Sequence, residues 1–232
     1  MNRIWAHPYR ILLPDGTAVR RICDYIPPAP VISFVGGGGK TSSMLALGTE
    51  LAEQGRRVIL TTTTRMFPFD FPLAENLACI GERAENGKLG PVADPDALKQ
   101  QCDFLLIEAD GSRGLPVKAP AAHEPVITTG TGLVIAVLGL TGMGKPIAQV
   151  CHRPERVCAL LGLQPADRIT PEAAAQLILS PNGLRKQVGQ RRFAVILNQA
   201  DSEAEQQAGR QVMSRLPAEI PCVMTAYRRN KG

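Results

Sequence analysis

Seven consecutive residues, GGGGKTS at 36–42, combine the features that a phosphate-binding loop needs. Glycines let a loop curl so that several backbone N–H groups converge on one anion without clashes between Cβ atoms. Lys40 then supplies a cation that reaches the outer phosphates of a nucleotide, and the hydroxyl of Thr41 is a typical ligand for Mg²⁺. The predicted phosphate-binding residues are Gly36, Gly37, Gly38, Gly39, Lys40, Thr41 and Ser42.

The segments on either side of this loop distinguish a phosphate site from a flexible glycine linker. VISFVG at 31–36 is short, apolar and β-branched, which indicates a buried strand. After the loop, Met44, Leu47 and Leu51 recur at helical spacing and predict an amphipathic helix. A linker has no reason to join such elements, so the pattern favours the phosphate loop. One residue departs from the motif G-x-x-x-x-G-K-[ST], since Phe34 stands where its first glycine is expected.

Two carboxylates follow a second apolar strand, in FLLIEADG at 104–111. Nucleotide-binding sheets take an acidic Mg²⁺ ligand from the end of a strand that neighbours the loop. Either Glu108 or Asp110 can fill that role together with Thr41. Glu108 and Gly111 also have the spacing of the acid-x-x-glycine switch of GTPases, in which the glycine N–H senses the terminal phosphate. The alternative is a pair of carboxylates on an ordinary surface turn.

Four threonines, at 61–64, end the apolar segment that begins at residue 57. Threonine is common in strands for conformational reasons alone. At the carboxyl end of a strand, Thr62, Thr63 and Thr64 could instead position Mg²⁺-bound water or a substrate. Both interpretations stay open.

Two later motifs bear on the base of the nucleotide. Asn198 and Asp201 follow an apolar strand, and an aspartate there can bind both the N1–H and the 2-amino group of guanine, which adenine lacks. Thr225 and Ala226 end the last apolar strand in a turn that resembles the one whose N–H contacts guanine O6. In this order the motifs favour GTP over ATP, although Gln199 stands where a lysine usually covers the base. Either motif alone is weak, because Asn and Asp are ordinary residues at helix starts.

The stretch 111–131 is rich in Gly, Pro and Thr, and it is too extended for a plain connector, so it predicts a functional loop. Arg113 could stabilise transition-state charge as an arginine finger does. Lys118 and His123 are candidates for binding a substrate or a client protein. The Cys-His pair at 151–152 either holds a soft atom or a metal, or consists of an inert thiol beside a helix-capping histidine.

Apolar segments alternate with helical ones along the rest of the chain. Strands are predicted at 31–36, 57–64, 104–111, 132–140, 192–201 and 220–226. Thr170 with Pro171, and Ser202 with Glu205, mark the starts of two helices. This alternation indicates an α/β fold with a doubly wound, mostly parallel sheet in a three-layer sandwich like that of P-loop NTPases. Residues 1–30 are predicted to be a hairpin-like preface and linker, and residues 31–232 the nucleotide-binding domain.

The composition argues against several other classes of protein. The formal net charge of +5 is mild, and the late basic runs come without any nucleic-acid-binding motif, so they predict solvated faces. Six cysteines without a C-x-x-C pair argue against a zinc knuckle or a secreted disulfide scaffold. No apolar run is long enough for a membrane helix, and the first residues lack the apolar core of a signal peptide. We therefore expect a cytoplasmic protein without nucleic-acid or membrane partners.

The segments VGGGGKTSSM, VILTTTTRM, IEADGSRGLPVKAPAAHEPVI, HRPE and VILNQAD together resemble the YqeC family, over residues 31–227. The third segment is the most specific, because ordinary P-loop proteins lack it. The matching positions that the resemblance carries over are Lys40, Glu108, Asp110, Arg113 and Lys118. The resemblance implies an accessory protein for selenium-dependent molybdenum hydroxylases, which would load selenium or the molybdenum cofactor into a client enzyme.

The motifs together predict a Mg²⁺-dependent NTPase that uses GTP in preference to ATP, and the resemblance implies that it acts as a switch in the maturation of a metallohydroxylase. The predicted catalytic residues are Lys40, Glu108, Asp110 and Arg113. One alternative is a transferase that passes a phosphoryl or nucleotidyl group to a small selenium or pterin acceptor. The other is a scaffold that binds a nucleotide or cofactor without hydrolysis, an option that Phe34 and Glu108 keep open. The expected partners are a client hydroxylase or a cofactor carrier, and the oligomeric state, a dimer included, stays open.

Overall fold

The computed structural model of the protein describes residues 10–69, 72–84 and 87–227. Its strands are β1 Arg10–Leu12, β2 Ala18–Val19, β3 Val31–Gly36, β4 Val58–Thr62, β5 Leu77–Cys79, β6 Glu82–Arg83, β7 Leu89–Gly90, β8 Phe104–Glu108, β9 Val117–Lys118, β10 Leu133–Gly139, β11 Cys151–His152, β12 Arg192–Asn198 and β13 Cys222–Ala226. Its α-helices are α1 Lys40–Glu53, α2 Ile147–Val150, α3 Pro154–Leu161, α4 Pro171–Leu179 and α5 Glu203–Met213. Short 3₁₀ helices span Ile22–Asp24, Asp96–Gln101 and Leu140–Gly142.

The main sheet that these described residues form has nine strands in the order β2-β1-β13-β12-β10-β3-β8-β4-β5. The seven strands from β13 to β5 run parallel, and the β1–β2 hairpin is antiparallel at the β13 edge. Parallel strands are normally covered on both faces, which explains why β3, β10 and most of β12 are buried along their length.

Helices cover both faces of this sheet. On one face, α1 packs Met44 and Leu47 against Phe34 of β3 and the same side of the neighbouring strands. On the other face, the helices α2 to α5 contribute residues such as Val157 and Val212 to a second apolar cluster. The predicted class is therefore confirmed: an α/β fold with a mostly parallel sheet in three layers, consistent with a P-loop NTPase-like fold. No helix among the described residues is long and apolar enough to cross a membrane.

The predicted helix starts also agree with the structure. The Thr170 hydroxyl accepts a hydrogen bond from the backbone N–H of Ala173 at 3.2 Å, and Pro171 occupies the first turn of α4. Ser202 and Glu205 form a reciprocal capping box at the start of α5. Both caps satisfy backbone donors that a helix start leaves without partners inside the helix.

Parts of residues 10–30 of the predicted preface belong to the main sheet and its core. The β1–β2 hairpin extends the sheet at β13, and Ile11 and Ile22 are fully buried on the α1 face. Glu50 of α1 accepts hydrogen bonds from the backbone N–H groups of Ile22 and Cys23, at 2.8 and 3.1 Å. The first nine residues of the predicted preface lie outside the described residues.

Two small sheets flank the main one. Strands β9 and β11 pair in parallel, and β6 and β7 pair antiparallel. Each of these strands has two residues, which is too short for alternation of apolar and polar residues to predict it. The β9–β11 pair matters for the site, because it joins the stretch 111–131 to the Cys-His pair.

The order of the strands places a topological switch at β3. The chain passes from β3 through α1 to β4 on one side, and β10 lies on the other side of β3. Ligands of doubly wound sheets bind beyond the carboxyl ends of the strands at such a switch. Both the glycine loop after β3 and the acidic turn after β8 lie at this edge.

Candidate functional site

The glycine loop occupies residues 37–39, between the end of β3 and the first residue of α1. Gly38 and Gly39 have φ angles of 78° and 113°, values that residues with a Cβ atom rarely adopt. A Cβ atom on Gly38 would lie 2.4 Å from the backbone of Gly139, and one on Gly39 would lie 2.1 Å from the side chain of Asn198. The loop therefore needs glycine because it packs directly against the ends of β10 and β12.

Three of the four glycine amides are already hydrogen-bonded within the protein. These amides are Gly36 to the Asp110 carboxylate at 3.1 Å, Gly37 to Val137 O at 2.9 Å, and Gly38 to Leu115 O at 3.0 Å. For these three amides, phosphate binding stays a prediction that requires the loop to exchange its present partners.

The N-terminus of α1 offers backbone N–H groups that have no acceptor among the described residues. Within the described residues, no hydrogen bond engages the backbone N–H groups of residues 39–42, and the first helical bond runs from Ser43 N to Gly39 O at 2.9 Å. A helix start leaves four such donors and carries the positive end of the helix dipole. These amides are the part of the loop that is ready to bind an anion.

The side chains of Lys40 and Thr41 meet the acidic end of β8. The Thr41 hydroxyl donates to Glu108 Oε2 at 2.5 Å. Lys40 Nζ donates to Gly36 O at 2.7 Å and lies 3.2 Å from Asp110 Oδ1 and 3.9 Å from Glu108 Oε1. Lys40 is only 3% exposed, so its charge is balanced by the two carboxylates rather than by solvent.

The two carboxylates have different hydrogen-bond and ion-pair partners. Glu108 lies beside Thr41, and burial raises its pKa although Lys40 and Thr41 act in the opposite direction. Asp110 receives the Gly36 amide and contacts both Lys40 and Lys118. Glu108 is therefore the carboxylate that lies next to the hydroxyl, and Asp110 organises the loop and the lysines.

A Mg²⁺ ion would find oxygen donors here but no complete protein cage. The described residues contain no group of three or more His, Cys, Asp or Glu side chains suited to a metal ion. The Thr41 hydroxyl and the Glu108 carboxylate are hard oxygen ligands, and Mg²⁺ is commonly held by one or two such groups together with phosphate and water oxygens. The donor set thus fits Mg²⁺ bound with a nucleotide.

The ionic contacts continue away from the loop through a second buried lysine. Lys118 Nζ lies 2.9 Å from Asp110 Oδ2 and 2.8 Å from Glu124 Oε2, and it donates to Gly111 O at 2.7 Å. Arg153 completes the series with a 2.8 Å contact from its guanidinium to Glu124. Although burial alone would raise the pKa of Glu124, its hydrogen bond and charge contact with Lys118 and its contact with Arg153 lower it to about 2.

The threonines brace the acidic turn. Thr62 Oγ1 donates to Glu108 O at 3.0 Å, and the Thr63 N–H donates to the same oxygen at 3.1 Å. The Thr63 hydroxyl donates to Val126 O at 3.0 Å, while the Thr64 N–H donates to Thr62 Oγ1 at 3.0 Å. The hydroxyls of Thr62 and Thr63 thus hold backbone in place, and binding of substrate or a client by the three threonines stays a prediction.

Asn198 ties the glycine loop to the last two strands. Its Nδ2 donates to Gly38 O at 2.7 Å, and its Oδ1 accepts a hydrogen bond from the Thr225 hydroxyl at 2.8 Å. Asn198 and Thr225 are register partners in β12 and β13, and both are buried. Both side chains are therefore used in holding the loop, whatever contact they make with a nucleotide.

The other residues predicted for the base lie on the same edge of the sheet. Asp201 is exposed just before the cap of α5, and Ala226 is half-buried at the end of β13. Gln199 accepts a hydrogen bond from the Thr141 hydroxyl and lies against Gly139. The structure thus brings the predicted base residues near the loop, and their contact with guanine stays a prediction.

Two predicted residues lie outside the ionic series. Arg113 is exposed on the turn after Gly111, with a φ angle of 52°. His123 is also exposed, further along the same stretch 111–131. Among the residues that the structure describes, no hydrogen bond or ion pair joins either side chain to the buried lysines and carboxylates. Their roles in hydrolysis and in binding a client stay predictions.

The structure adds residues to which the sequence assigned no role. Glu124 and Arg153 end the series of ionic contacts that runs from Lys40 through Asp110 and Lys118. The sequence around each of them, HEP at 123–125 and HRPE at 152–155, has no local pattern that predicts this pairing. His152 is not the helix cap that one interpretation expected: Arg153 occupies the N-cap position of α3, and His152 is buried in β11. Cys151 is buried in the core, and burial together with Cys158 raises its pKa to about 12, as expected for an inert thiol.

Comparisons with known proteins identify the family of this chain. The family model described as "YqeC protein" matches residues 32–155, which include the glycine loop, the acidic strand and the ionic series up to Arg153. The chain belongs to the YqeC family. A relative from Escherichia coli (strain K12), "Uncharacterized protein YqeC", is 38% identical and aligns with 69% of this chain and 72% of its own length. The family match ends before Asn198 and Asp201, so the residues predicted for the base lie outside it.

Proposed function

We propose that this YqeC-family protein binds a nucleoside triphosphate with Mg²⁺ and hydrolyses it, with GTP favoured over ATP. The observation that carries the proposal is the 2.5 Å hydrogen bond between the Thr41 hydroxyl and Glu108 at the N-terminus of α1. It joins the lysine-threonine end of the glycine loop to the acidic strand beside it. A phosphate-binding loop needs these two groups together to hold Mg²⁺.

Each part of the site would have a separate task. The free amides of residues 39–42 and the Lys40 ammonium would bind the phosphates. Thr41 and Glu108 would hold Mg²⁺, which when bound neutralises charge on the phosphate oxygens. Asp110, through Lys40 and the Gly36 amide, would keep the lysine and the loop in position. Arg113, on the exposed turn after Gly111, is the candidate for charge stabilisation during hydrolysis.

The preference for GTP rests on the edge of the sheet beyond β12 and β13. Asn198 and Thr225 hold this edge against the glycine loop, and Asp201 follows at the start of α5. A carboxylate at that place can pair with two donors that guanine has and adenine lacks. In the cell, the protein would act in the cytoplasm as an accessory factor in maturing a molybdenum hydroxylase, a role that rests on the family resemblance.

A non-hydrolysing scaffold is the second candidate, and one observation favours it. The amides of Gly36, Gly37 and Gly38 already have acceptors inside the protein, and Lys40 is buried between two carboxylates. Such a loop could bind a nucleotide or cofactor through the amides of residues 39–42 alone, without the exchange of partners that would bring the other glycine amides and Lys40 to the phosphates. Turnover that stays at background, with binding intact, would favour this candidate over a hydrolase.

Direct binding of GTP and ATP, with and without Mg²⁺, tests the proposal. We expect Lys40→Ala to weaken both nucleotides by about 10- to 100-fold, because it removes hydrogen bonds made by a charged donor. Thr41→Val should remove the dependence on Mg²⁺ without uncovering a buried charge. Asp201→Ala should weaken GTP alone.

The matched control is Glu219→Ala, an exposed acid that precedes β13 and so lies at the opposite edge of the parallel strands. It should leave both affinities unchanged. If Asp201→Ala behaves like this control, the guanine assignment is wrong. If the unaltered protein binds neither nucleotide in the presence of Mg²⁺, the proposal as a whole is wrong.

A further inference from the structure

The Asp110 carboxylate lies against two of the donors that the glycine loop could offer to a phosphate. Its oxygens accept the Gly36 N–H at 3.1 and 3.2 Å, and Oδ1 lies 3.2 Å from Lys40 Nζ. Asp110 is 1% exposed and Lys40 is 3% exposed, so solvent does little to weaken this contact. Loop amides and this lysine are also the groups with which a phosphate loop binds its anion. The carboxylate therefore uses donors that a bound phosphate would also use.

The ammonium group of Lys40 cannot serve all of these acceptors at once. A lysine has three N–H donors. Lys40 donates one to Gly36 O at 2.7 Å, and its contact with Asp110 takes a second. The lysine of a phosphate loop reaches both the β- and the γ-phosphate, which takes two donors. Lys40 therefore has to give up one of its present partners when it binds a triphosphate.

Lys118 makes Asp110 the partner that Lys40 can give up. Lys118 Nζ lies 2.9 Å from Asp110 Oδ2, whereas Lys40 faces Oδ1 of the same carboxylate. When Lys40 moves away, Asp110 keeps this second cation and the Gly36 amide. Without Lys118, the same movement would leave a buried carboxylate with no cation beside it, which is strongly unfavourable.

We propose that Asp110 competes with the nucleotide phosphates for Lys40, and that Lys118 is the positioning residue that allows Lys40 to leave Asp110. This competition rests on the proposed function, in which Lys40 binds the phosphates. In one state Lys40 is paired with Asp110, and in the other Lys40 binds the phosphates while Lys118 alone pairs with Asp110. The affinity for a nucleotide then depends on Lys118, although Lys118 needs no contact with the ligand.

Binding of GTP and ATP to the full chain, in the presence of Mg²⁺, tests the competition. Asp110→Asn keeps the shape of the side chain and an acceptor for the Gly36 N–H, but it removes the charge that holds Lys40. We expect both nucleotides to bind more tightly by about tenfold or more, since Lys40 no longer gives up a charged partner. The factor should be the same for GTP and ATP, because the exchange involves the phosphates and not the base.

Lys118→Met should have the opposite effect. We expect both nucleotides to bind about tenfold more weakly or worse, because the departure of Lys40 then leaves the Asp110 charge unpaired. Adding Asp110→Asn to Lys118→Met removes that charge, so the double variant should regain the affinity of the unaltered protein or exceed it. If Lys118 merely stabilises the fold, the double variant will bind no better than Lys118→Met, and the proposed role of Lys118 is wrong.

Asp103→Asn is the matched control, because Asp103 lies at the amino end of β8 and Asp110 lies just beyond its carboxyl end. Asp103 makes an exposed contact with Arg57, and its replacement should leave both affinities unchanged. If Asp110→Asn binds the nucleotides no more tightly than Asp103→Asn does, the competition is wrong, while binding by the unaltered protein still supports the proposed function. If the unaltered protein binds neither nucleotide, both are wrong.

Discussion

Replacing Lys118 by methionine removes the buried cation that joins Asp110 to Glu124. Lys118 is 1% exposed, and its ammonium has acceptors at 2.7, 2.8 and 2.9 Å, two of which are carboxylates. Removing one partner of a buried ion pair costs about 3–5 kcal/mol, because it leaves an uncompensated charge behind. Lys40 still faces Asp110 and Arg153 still faces Glu124, so we expect the lower end, about 3 kcal/mol.

Urea unfolding followed by far-UV circular dichroism at pH 7 measures this loss directly. For a domain of this size, about 3 kcal/mol corresponds to a melting temperature lower by roughly 6–12 °C. The matched control is Lys186→Met: Lys186 donates to the carbonyl oxygens of Ala121 and Ala122, which are neutral acceptors nearer the surface. That variant should lose only about 1 kcal/mol.

A double variant separates the uncompensated charge from the loss of packing. Glu124→Gln added to Lys118→Met removes one of the two carboxylates that have lost Lys118 and should restore about 1 kcal/mol or more relative to Lys118→Met alone. If Lys118→Met costs no more than Lys186→Met, the buried ionic series does not stabilise the fold as reasoned. A double variant less stable than Lys118→Met would contradict the charge argument.

Two other predictions concern the hydrogen bonds of Asn198 with the glycine loop and the pH dependence of the stability that Glu124 contributes. Asn198→Ala removes two buried hydrogen bonds, one to Gly38 O and one from the Thr225 hydroxyl. We therefore expect the free energy of unfolding to fall by about 2–3 kcal/mol and amide hydrogen exchange in the glycine loop to become faster. Unchanged exchange would show that Asn198 does not hold the loop in place. Glu124 has its pKa lowered from 4.5 to about 2 in the folded protein, so its contribution to stability is complete above pH 4.5 and is lost as the pH falls toward 2. The stability difference between the unaltered protein and Glu124→Gln, measured by urea unfolding from pH 6 to pH 3, should therefore narrow on acidification, and a constant difference would show that the carboxylate is not held by these cations.

The main elements of the fold follow from local patterns in the chain. The predicted strands at 31–36, 132–140 and 192–201 correspond to β3, β10 and β12 within a few residues. Buried parallel strands form continuous apolar runs, and helix caps carry their own side-chain signals, so neither depends on distant residues. The short strands β5, β6, β7, β9 and β11 were not predicted, because two or three residues carry no periodicity.

The candidate site also has a part that the sequence predicts and a part that only the structure shows. Lys40, Thr41 and the acidic pair are recognisable from spacing, because the loop and the strand ends that carry them are contiguous in sequence. The choice of Glu108 rather than Asp110 as the neighbour of Thr41 needs the pairing of β3 with β8 and the turn that returns Asp110 to the Gly36 amide.

The ionic series beyond Asp110 depends entirely on contacts between distant segments. Lys118, Glu124 and Arg153 meet because β9 pairs with β11, and those strands are separated in the chain by β10 and α2. A single charged residue does not indicate its partner in the sequence, because the local pattern around a loop lysine is the same whether the side chain is solvated or buried. Only the packing of the folded chain removes these charges from water, and once they are buried they have to be paired. The sequence alone therefore predicted the chemistry of the glycine loop but not the charge network behind it.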